Sequence, residues 1–285
     1  MPKRYSLSVG VNRVDPKQYD GQWDGFLPCC EKDAQDVDNL LKSAGYDKRT
    51  LLKTSKATRA NVLKAIKGAS KALKKGDLFV IYYSGHGGQV ADINGDEEDA
   101  NDETWCLHDG QLIDDEIYYS FSSFAEGVRV LMISDSCHSG TVSKVAMLNS
   151  SETAGPLKKK LYKFMPEEVV GKAYLKKREL YDKIQMDDIM KISNPSNKDY
   201  AHNIRASVKL ISGCQDNQYS QAGAINSVFT AMMFRVWRNG MFTGNYKAFH
   251  KKIVDLMPPD QTPNLYDVGA KDPDFSMQRP FANSK

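Results

Sequence analysis

The feature that most constrains this chain is a set of short, unbroken apolar runs, each separated from the next by helix-period sequence. Leu78–Ser84 reads LFVIYYS, Val128–Ser134 reads VRVLMIS and Ser207–Ser212 reads SVKLIS. Such runs lack the alternation of a half-exposed strand and suit strands covered on both faces, the condition of a parallel sheet sandwiched by helices. Tyr5–Val11 (YSLSVGV) is a fourth strand of this kind and Thr50–Lys53 a weaker one. Helix patterns fall over Cys30–Ala44, closed by Gly45, and over Thr58–Leu73, capped by Thr58. Further helices are predicted over Ile113–Phe124, Ala224–Arg238 and Tyr246–Leu256. Strands alternating with helices predict an α/β fold built on a mostly parallel sheet.

Composition excludes several alternatives. With 41% hydrophobic and 26% charged residues the chain is neither disordered nor of low complexity. No apolar run is long enough to span a membrane. The opening MPKRYSLSVGVN lacks the apolar stretch and cleavage site of a signal peptide, and strand one begins too early to leave a prodomain. Five cysteines, an odd number without a CxxC pair, suit free thiols in a reducing cytoplasm better than disulfides or structural zinc. Cys29, Cys106 and Cys214 read as small buried hydrophobes. A net charge of +3, from 39 basic and 36 acidic residues, is too small to argue for nucleic acid.

That total conceals segregation. Asp92 to Glu116 holds eleven acids and no Lys or Arg, whereas Lys42 to Lys75 holds eleven basic residues against Asp47 alone. Basic runs of this kind are the solvated faces of amphipathic helices, but crowded carboxylates call for cations or a basic partner. Asp92-x-Asn94-x-Asp96-x-Glu98, with Glu103 at position twelve, imitates a calcium loop, although Glu97 stands where Gly is needed. Residues from about 143 to 203 are polar and Lys-rich, and read as a partly helical insertion or activation linker within one domain spanning 1–285.

Sites in open parallel sheets form at the carboxyl ends of strands. LFVIYYS runs into Gly85-His86-Gly87-Gly88, and VRVLMIS runs into Asp135-Ser136-Cys137-His138-Ser139-Gly140. A thiol and an imidazole projecting from one sheet edge are the parts of a catalytic dyad, with Cys137 to attack and His86 to move the proton. His138 adjoins the thiol, but a sequence neighbour rarely points at the same centre. The N–H groups of Gly87 and Cys137 are candidate oxyanion donors.

YYSGHGGQ, an acid-rich loop ending in IDDEI, and a strand leading into DSCHSG, in that order, resemble the caspase-fold cysteine peptidases. Within them the chain resembles metacaspases and their prokaryotic relatives, the orthocaspases. The resemblance implies a caspase-like, mostly parallel six-stranded sheet flanked by helices, with His86 as base and Cys137 as nucleophile. The Q-A-C-R-G motif of animal caspases is absent. The resemblance therefore implies cleavage after Arg or Lys, in protein or peptide substrates, through Asp33, Ser84 and Asp135. From the residues alone, Asp33 is an exposed first-turn acid favoured by the helix dipole. Cys30 matches a second cysteine of some metacaspases and is expected near the pocket without a catalytic part.

Asp102, Asp114 and Asp115 match calcium ligands of the family, but Lys144, a cation, occupies the fourth position. The chemistry itself needs no cofactor. A peptidase preferring basic residues is expected to cut its own insertion, at Lys158–Lys160 or Lys176–Arg178, with a separate upstream activator as the other route. The resemblance further implies a monomer acting on proteins, while the small net charge and the lack of a long apolar run leave no expected nucleic-acid or membrane partner. A catalytically silent caspase-like scaffold, or partner-binding subunit, is the alternative reading.

Overall fold

The computed structural model describes residues 2–91, 101–137, 161–192, 204–214, 221–223 and 225–282. Its centre is a six-stranded sheet built from β1 (Arg4–Gly10), β2 (Lys48–Lys53), β3 (Leu78–Ser84), β7 (Arg129–Asp135), β9 (Ser207–Ser212) and β11 (Asn264–Gly269), in the order β11-β9-β7-β3-β1-β2. Five strands are parallel, and β11 closes one edge antiparallel to β9. The apolar runs therefore do what their continuity requires. Phe79, Ile81 and Tyr83 of β3 enter one core with Val130 and Met132 of β7, against α2 (Arg59–Ala72) and α3 (Asp114–Ser122). Leu78, Val80 and Tyr82, with Leu131 and Ile133, enter the other core, against α1 (Cys30–Ser43), α6 (Val228–Trp237) and α7 (Tyr246–Val254). Alternate side chains of one strand thus fill two cores, which excludes water from both faces.

Local chemistry sets the helix starts. Thr58 accepts the Asn61 N–H, Ser227 the Thr230 N–H and Asn245 the Ala248 N–H, so each satisfies a donor that its helix leaves open. The helix expected from Ala224 begins only at Val228, because Ser227 caps it there. A short helix, α8 (Pro273–Met277), follows β11.

The acid-rich stretch is not all loop. After β4 (Gly87–Ala91) it contributes β5 (Asn101–Leu107) and β6 (Gly110–Ile113), which form an antiparallel three-stranded sheet with β4. Trp105, Cys106, Leu107 and Leu112 are buried and hold that sheet on the core, an apolar signal diluted in the sequence by the carboxylates around it. The GHGG turn is likewise half strand, since β4 begins at Gly87.

The Lys-rich insertion carries β8 (Leu161–Tyr162), α4 (Glu167–Lys176) and α5 (Arg178–Ile192). β8 pairs antiparallel with β10 (Gln221–Ala222). Among the described residues no helix is long and apolar enough to cross a membrane.

Candidate active site

β1, β3 and β7 run parallel and in register, so Ser84 lies opposite both Gly10 and Asp135. Their carboxyl ends therefore present consecutive side chains along one edge of the sheet. Gly10 lets α1 descend onto that edge: a Cβ there would stand 2.3 Å from the Cys30 carbonyl oxygen. The close approach carries Asp33, in the first turn of α1, into the site, where it is fully buried rather than exposed.

Asp33, Ser84 and Asp135 come together as one pocket, and a lysine fills it. Lys163 is 0% exposed, with its Nζ 2.8 Å from Ser84 Oγ, 3.0 Å from Asp135 Oδ2 and 3.5 Å from Asp33 Oδ2. It also donates to the Asp135 backbone carbonyl at 3.2 Å. Ser84 Oγ donates onward to Asp33 Oδ2 at 2.9 Å. Residues preceding α6 and in its first turn complete the shell. Asn226 Nδ2 and the Ser227 N–H donate to Asp33 Oδ1, each at 3.0 Å, while Ser227 Oγ and Thr230 Oγ1 donate to Asp135 Oδ2.

Burial alone would strip the Lys163 proton. Asp135 in the first place, then Cys30, Asp33 and Cys29, hold the ammonium well above the ordinary lysine range. The Asp33 carboxyl is pushed up, because burial outweighs the neighbouring ammonium. Two carboxyl groups sharing one cation in a dry pocket account for both directions.

The lysine main chain is engaged as closely as its side chain. The Gly87 and Cys137 N–H groups, the candidate oxyanion donors, both donate to the Lys163 carbonyl, at 2.9 and 3.0 Å. Met165 N–H donates to the Gly87 carbonyl at 2.7 Å, and Phe164 bridges Gly87 in parallel fashion. With β8 held by β10, residues 161–165 lie extended between two strand segments, as a bound peptide does when it adds itself to a sheet.

His86 stands beside this segment. Its Nδ1 lies 3.0 Å from the Phe164 carbonyl oxygen and its Nε2 3.0 Å from that of Gly25. Trp23 meets the ring edge-on at 5.0 Å. Burial brings the imidazole pKa down to about 4 despite both carbonyls, so the ring is neutral at pH 7. A neutral ring donates through one nitrogen only, so one of these two carbonyls faces a lone pair. Tyr83 anchors the turn by donating to the His86 carbonyl at 2.7 Å, and its ring stacks on Trp105 at 4.5 Å.

Cys137 is fully buried beneath the Lys163 segment. Cys214, just beyond β9, donates its S–H to Cys137 Sγ at 3.5 Å. Cys30 lies at the pocket, where Cys29, Cys30 and Asp33 hold ligand atoms within 4.8 Å of one another. The backbone of Asp102, Asp114 and Asp115 lies near one end of the β5–β6 hairpin, since Asp102 shortly precedes Thr104 and the other two follow Ile113, its partner. Among the described residues, however, their carboxylates do not form a cluster of the kind made by Cys29, Cys30 and Asp33. Asp102 is buried and accepts Gln185 Nε2 at 2.8 Å. His138, Lys144, Lys158–Lys160 and most of the calcium-loop pattern lie outside the described residues.

Sequence reasoning missed Lys163, Asn226, Ser227, Thr230, Gly25 and the position of Cys214. Lys163 is one of many basic residues in its stretch, and what distinguishes it is a fold 130 residues away from Asp33 in sequence.

The sequence model described as "Metacaspase, peptidase C14 domain" matches residues 4–146. Metacaspase-1 of Ajellomyces capsulatus is 34% identical over 164 residues, 53% of this chain and 44% of that protein. Metacaspase-1 of Saccharomyces cerevisiae is 34% identical over 156 residues, 49% of this chain and 34% of its own. The chain thus spans less than half the length of either. The crystal structure of protein GSU0716 from Geobacter sulfurreducens is 50% identical and superposes with a TM-score of 0.85 over 100% of both chains. Caspase-1 from Spodoptera frugiperda, 9% identical, shares the fold with a TM-score of 0.56 over 95% of this chain and 88% of its own. A match covering half the chain, on the caspase-like sheet described above, places the protein in the metacaspase, peptidase C14 family.

Proposed function

We propose that the protein is a cysteine endopeptidase that cleaves after Lys or Arg and whose first substrate is its own Lys163–Phe164 bond. The observation that carries this reading is the double engagement of Lys163. Its ammonium sits between Asp33 and Asp135, and its carbonyl sits on the Gly87 and Cys137 amides.

The chemistry follows from those positions. The two amides polarise the Lys163 carbonyl and stabilise the oxyanion, a contribution of about 3 kcal/mol per donor in comparable sites. Cys137 gives its proton to His86 as Sγ attacks the carbonyl carbon, and His86, on the Phe164 side, hands that proton to the departing Phe164 amine as the C–N bond breaks. Water, activated by the same imidazole, then hydrolyses the acyl-enzyme and frees Cys137. The acid pair selects a cationic side chain, because an apolar or anionic residue would leave two buried carboxylates uncompensated. A silent scaffold would gain nothing from a lysine laid across such a site.

Calcium takes no part in these steps. The three hairpin acids offer the oxygen chemistry a hard cation takes, but they fall short of its usual six to eight ligands. When bound there, the ion would neutralise carboxylates and compete with the Gln185 amide for Asp102. Gln185 belongs to α5 of the insertion that carries Lys163, so calcium is proposed as a loosener of that insertion. The enzyme is further proposed to act in the cytoplasm as a monomer on protein substrates, with a separate upstream activator as the alternative to self-cleavage.

The decisive experiment incubates wild type and Cys137→Ala and maps fragment ends, then offers fluorogenic peptides bearing Arg, Lys or Asp. A new amino terminus at Phe164 in wild type alone, with Arg and Lys peptides cleaved, is expected. Preference for Asp, or cleavage surviving Cys137→Ala, overturns the reading.

A further inference from the structure

The peptidase chemistry needs one thiol, yet a further one lies directly against Cys137. Cys214 is 4% exposed, with its Sγ 3.5 Å from Cys137 Sγ and 3.5 Å from the Ser136 carbonyl oxygen. The pairing is built into the sheet. β7 and β9 are adjacent and parallel with Ser134 opposite Ser212, and each strand delivers its cysteine just past its carboxyl end. Neighbouring strands lie about 4.8 Å apart, inside the Cα separations a disulfide spans. Bond formation needs the sulfurs to approach by about 1.5 Å more, the scale of a side-chain rotation rather than a backbone shift. The S–H···S hydrogen bond in the first place, and burial in the second, hold the Cys214 thiol well above the usual range, so Cys214 is the proton-bearing partner.

Resting on the reading of Cys137 as nucleophile, we propose that Cys137 and Cys214 form a reversible disulfide that switches the peptidase off, with hydrogen peroxide as oxidant. The Cys137 thiolate attacks one peroxide oxygen, the O–O bond breaks, hydroxide leaves, and Cys137 becomes a sulfenic acid. The Cys214 sulfur then attacks the Cys137 sulfur while its proton passes to the sulfenic oxygen. The S–S bond forms, the S–O bond breaks and water departs. Two thiols give up two electrons and the peroxide is reduced to two waters. A dithiol reductant reverses the step by exchange. The disulfide also keeps Cys137 from the sulfinic state, which a reductant does not recover. Because Cys137 is covered by the Lys163 segment, the switch belongs to the opened enzyme.

The test treats full-length wild type, Lys163→Ala and Cys214→Ser with hydrogen peroxide, maps thiols by mass spectrometry without reduction, and assays peptide cleavage before and after dithiothreitol. A cross-linked Cys137–Cys214 peptide is expected in wild type and Lys163→Ala, with activity falling about tenfold or more and returning on reduction. In Cys214→Ser the loss should persist after reduction, with Cys137 found as sulfinic acid. Lys163→Ala protein whose Cys137 reacts with iodoacetamide, yet goes to sulfinic acid without the cross-link, would overturn the proposal. The cross-link is read without activity. A chain inactive before peroxide would therefore sink the peptidase reading and leave the disulfide to be judged by itself.

Discussion

The Lys163 ammonium lies 3.0 Å from Asp135 Oδ2 and 3.5 Å from Asp33 Oδ2, with all three side chains fully buried. Lys163→Ala removes the cation from that pair and the cationic side chain from the proposed cleavage site. Self-cleavage at this position should fall at least a hundredfold, while added Arg peptides should be cut without a lag. Two buried carboxylates left unpaired should cost about 3–5 kcal/mol at pH 7. Burial already raises the Asp33 pKa against the pull of Lys163, and without that cation it rises further, so the native state binds more protons than the unfolded one. The deficit should shrink as the pH is lowered towards 4, which urea titrations at both pH values would show.

Asp135 is the closer partner and should dominate recognition of a basic side chain. Asp135→Asn should raise KM for Arg and Lys peptides by about ten- to a hundredfold, the scale of one charge-assisted hydrogen bond. Asp33→Asn should raise it less. Equal effects on Arg peptides and on peptides with a neutral residue at the cleaved position would contradict this ranking.

His86 makes the closed form acid-sensitive. Its folded pKa is lowered to about 4, while an unfolded histidine titrates near 6.5. Between those values the unfolded chain binds the proton first, so stability is complete above about 6.5 and declines as the pH falls towards 4. The loss should approach about 3 kcal/mol in uncut Cys137→Ala protein, and His86→Gln should remove that part of the slope. Denaturant midpoints across this pH range measure it.

Gly10 and Gly68 separate close packing from flexibility. A Cβ at Gly10 meets the Cys30 carbonyl oxygen at 2.3 Å and Glu31 Cα at 2.8 Å, both backbone atoms, whereas at Gly68 nothing lies within 4 Å. Gly10→Ala should therefore destabilise by more than about 2 kcal/mol and displace α1 from the site. Gly68→Ala, inside α2, should stabilise by about 0.5–1 kcal/mol. Thermal unfolding of both variants checks the contrast.

Calcium should speed self-cleavage if it displaces Gln185 from Asp102. Gln185→Ala, which removes side-chain bonds to Ala91 O and Asp102 Oδ2, should mimic the ion. Cleavage rates with calcium and with a chelator decide it, and an unchanged rate in both arms would remove calcium from the proposal.

His86 and Cys137 were legible because each follows a continuous apolar strand, and a buried parallel strand announces itself over a handful of residues. β5 and β6 were not, since their buried Trp105 and Leu112 are set among acids. β11 alternates too weakly to stand out, with Tyr266 and Asp267 exposed at the sheet edge. Lys163 and Cys214 acquire meaning only through partners far along the chain, and no local periodicity encodes a contact of that span. The other expected cut, at Lys176–Arg178, falls where two helices meet, whereas the extended backbone of the insertion lies before α4, beside β8.

On the proposed function, the Lys163 seated against Asp33 and Asp135 is also a competitor that diffusion never dilutes. Tethered ligands on short connections act at effective concentrations on the order of millimolar, far above those at which a protein substrate would ordinarily circulate. Raising the supply of outside substrate therefore does little while the tether is whole. On the proposed function, activity would be set instead by a single event in the life of each molecule, the breaking or displacement of that connection, after which the same pocket would serve as a multiple-turnover site.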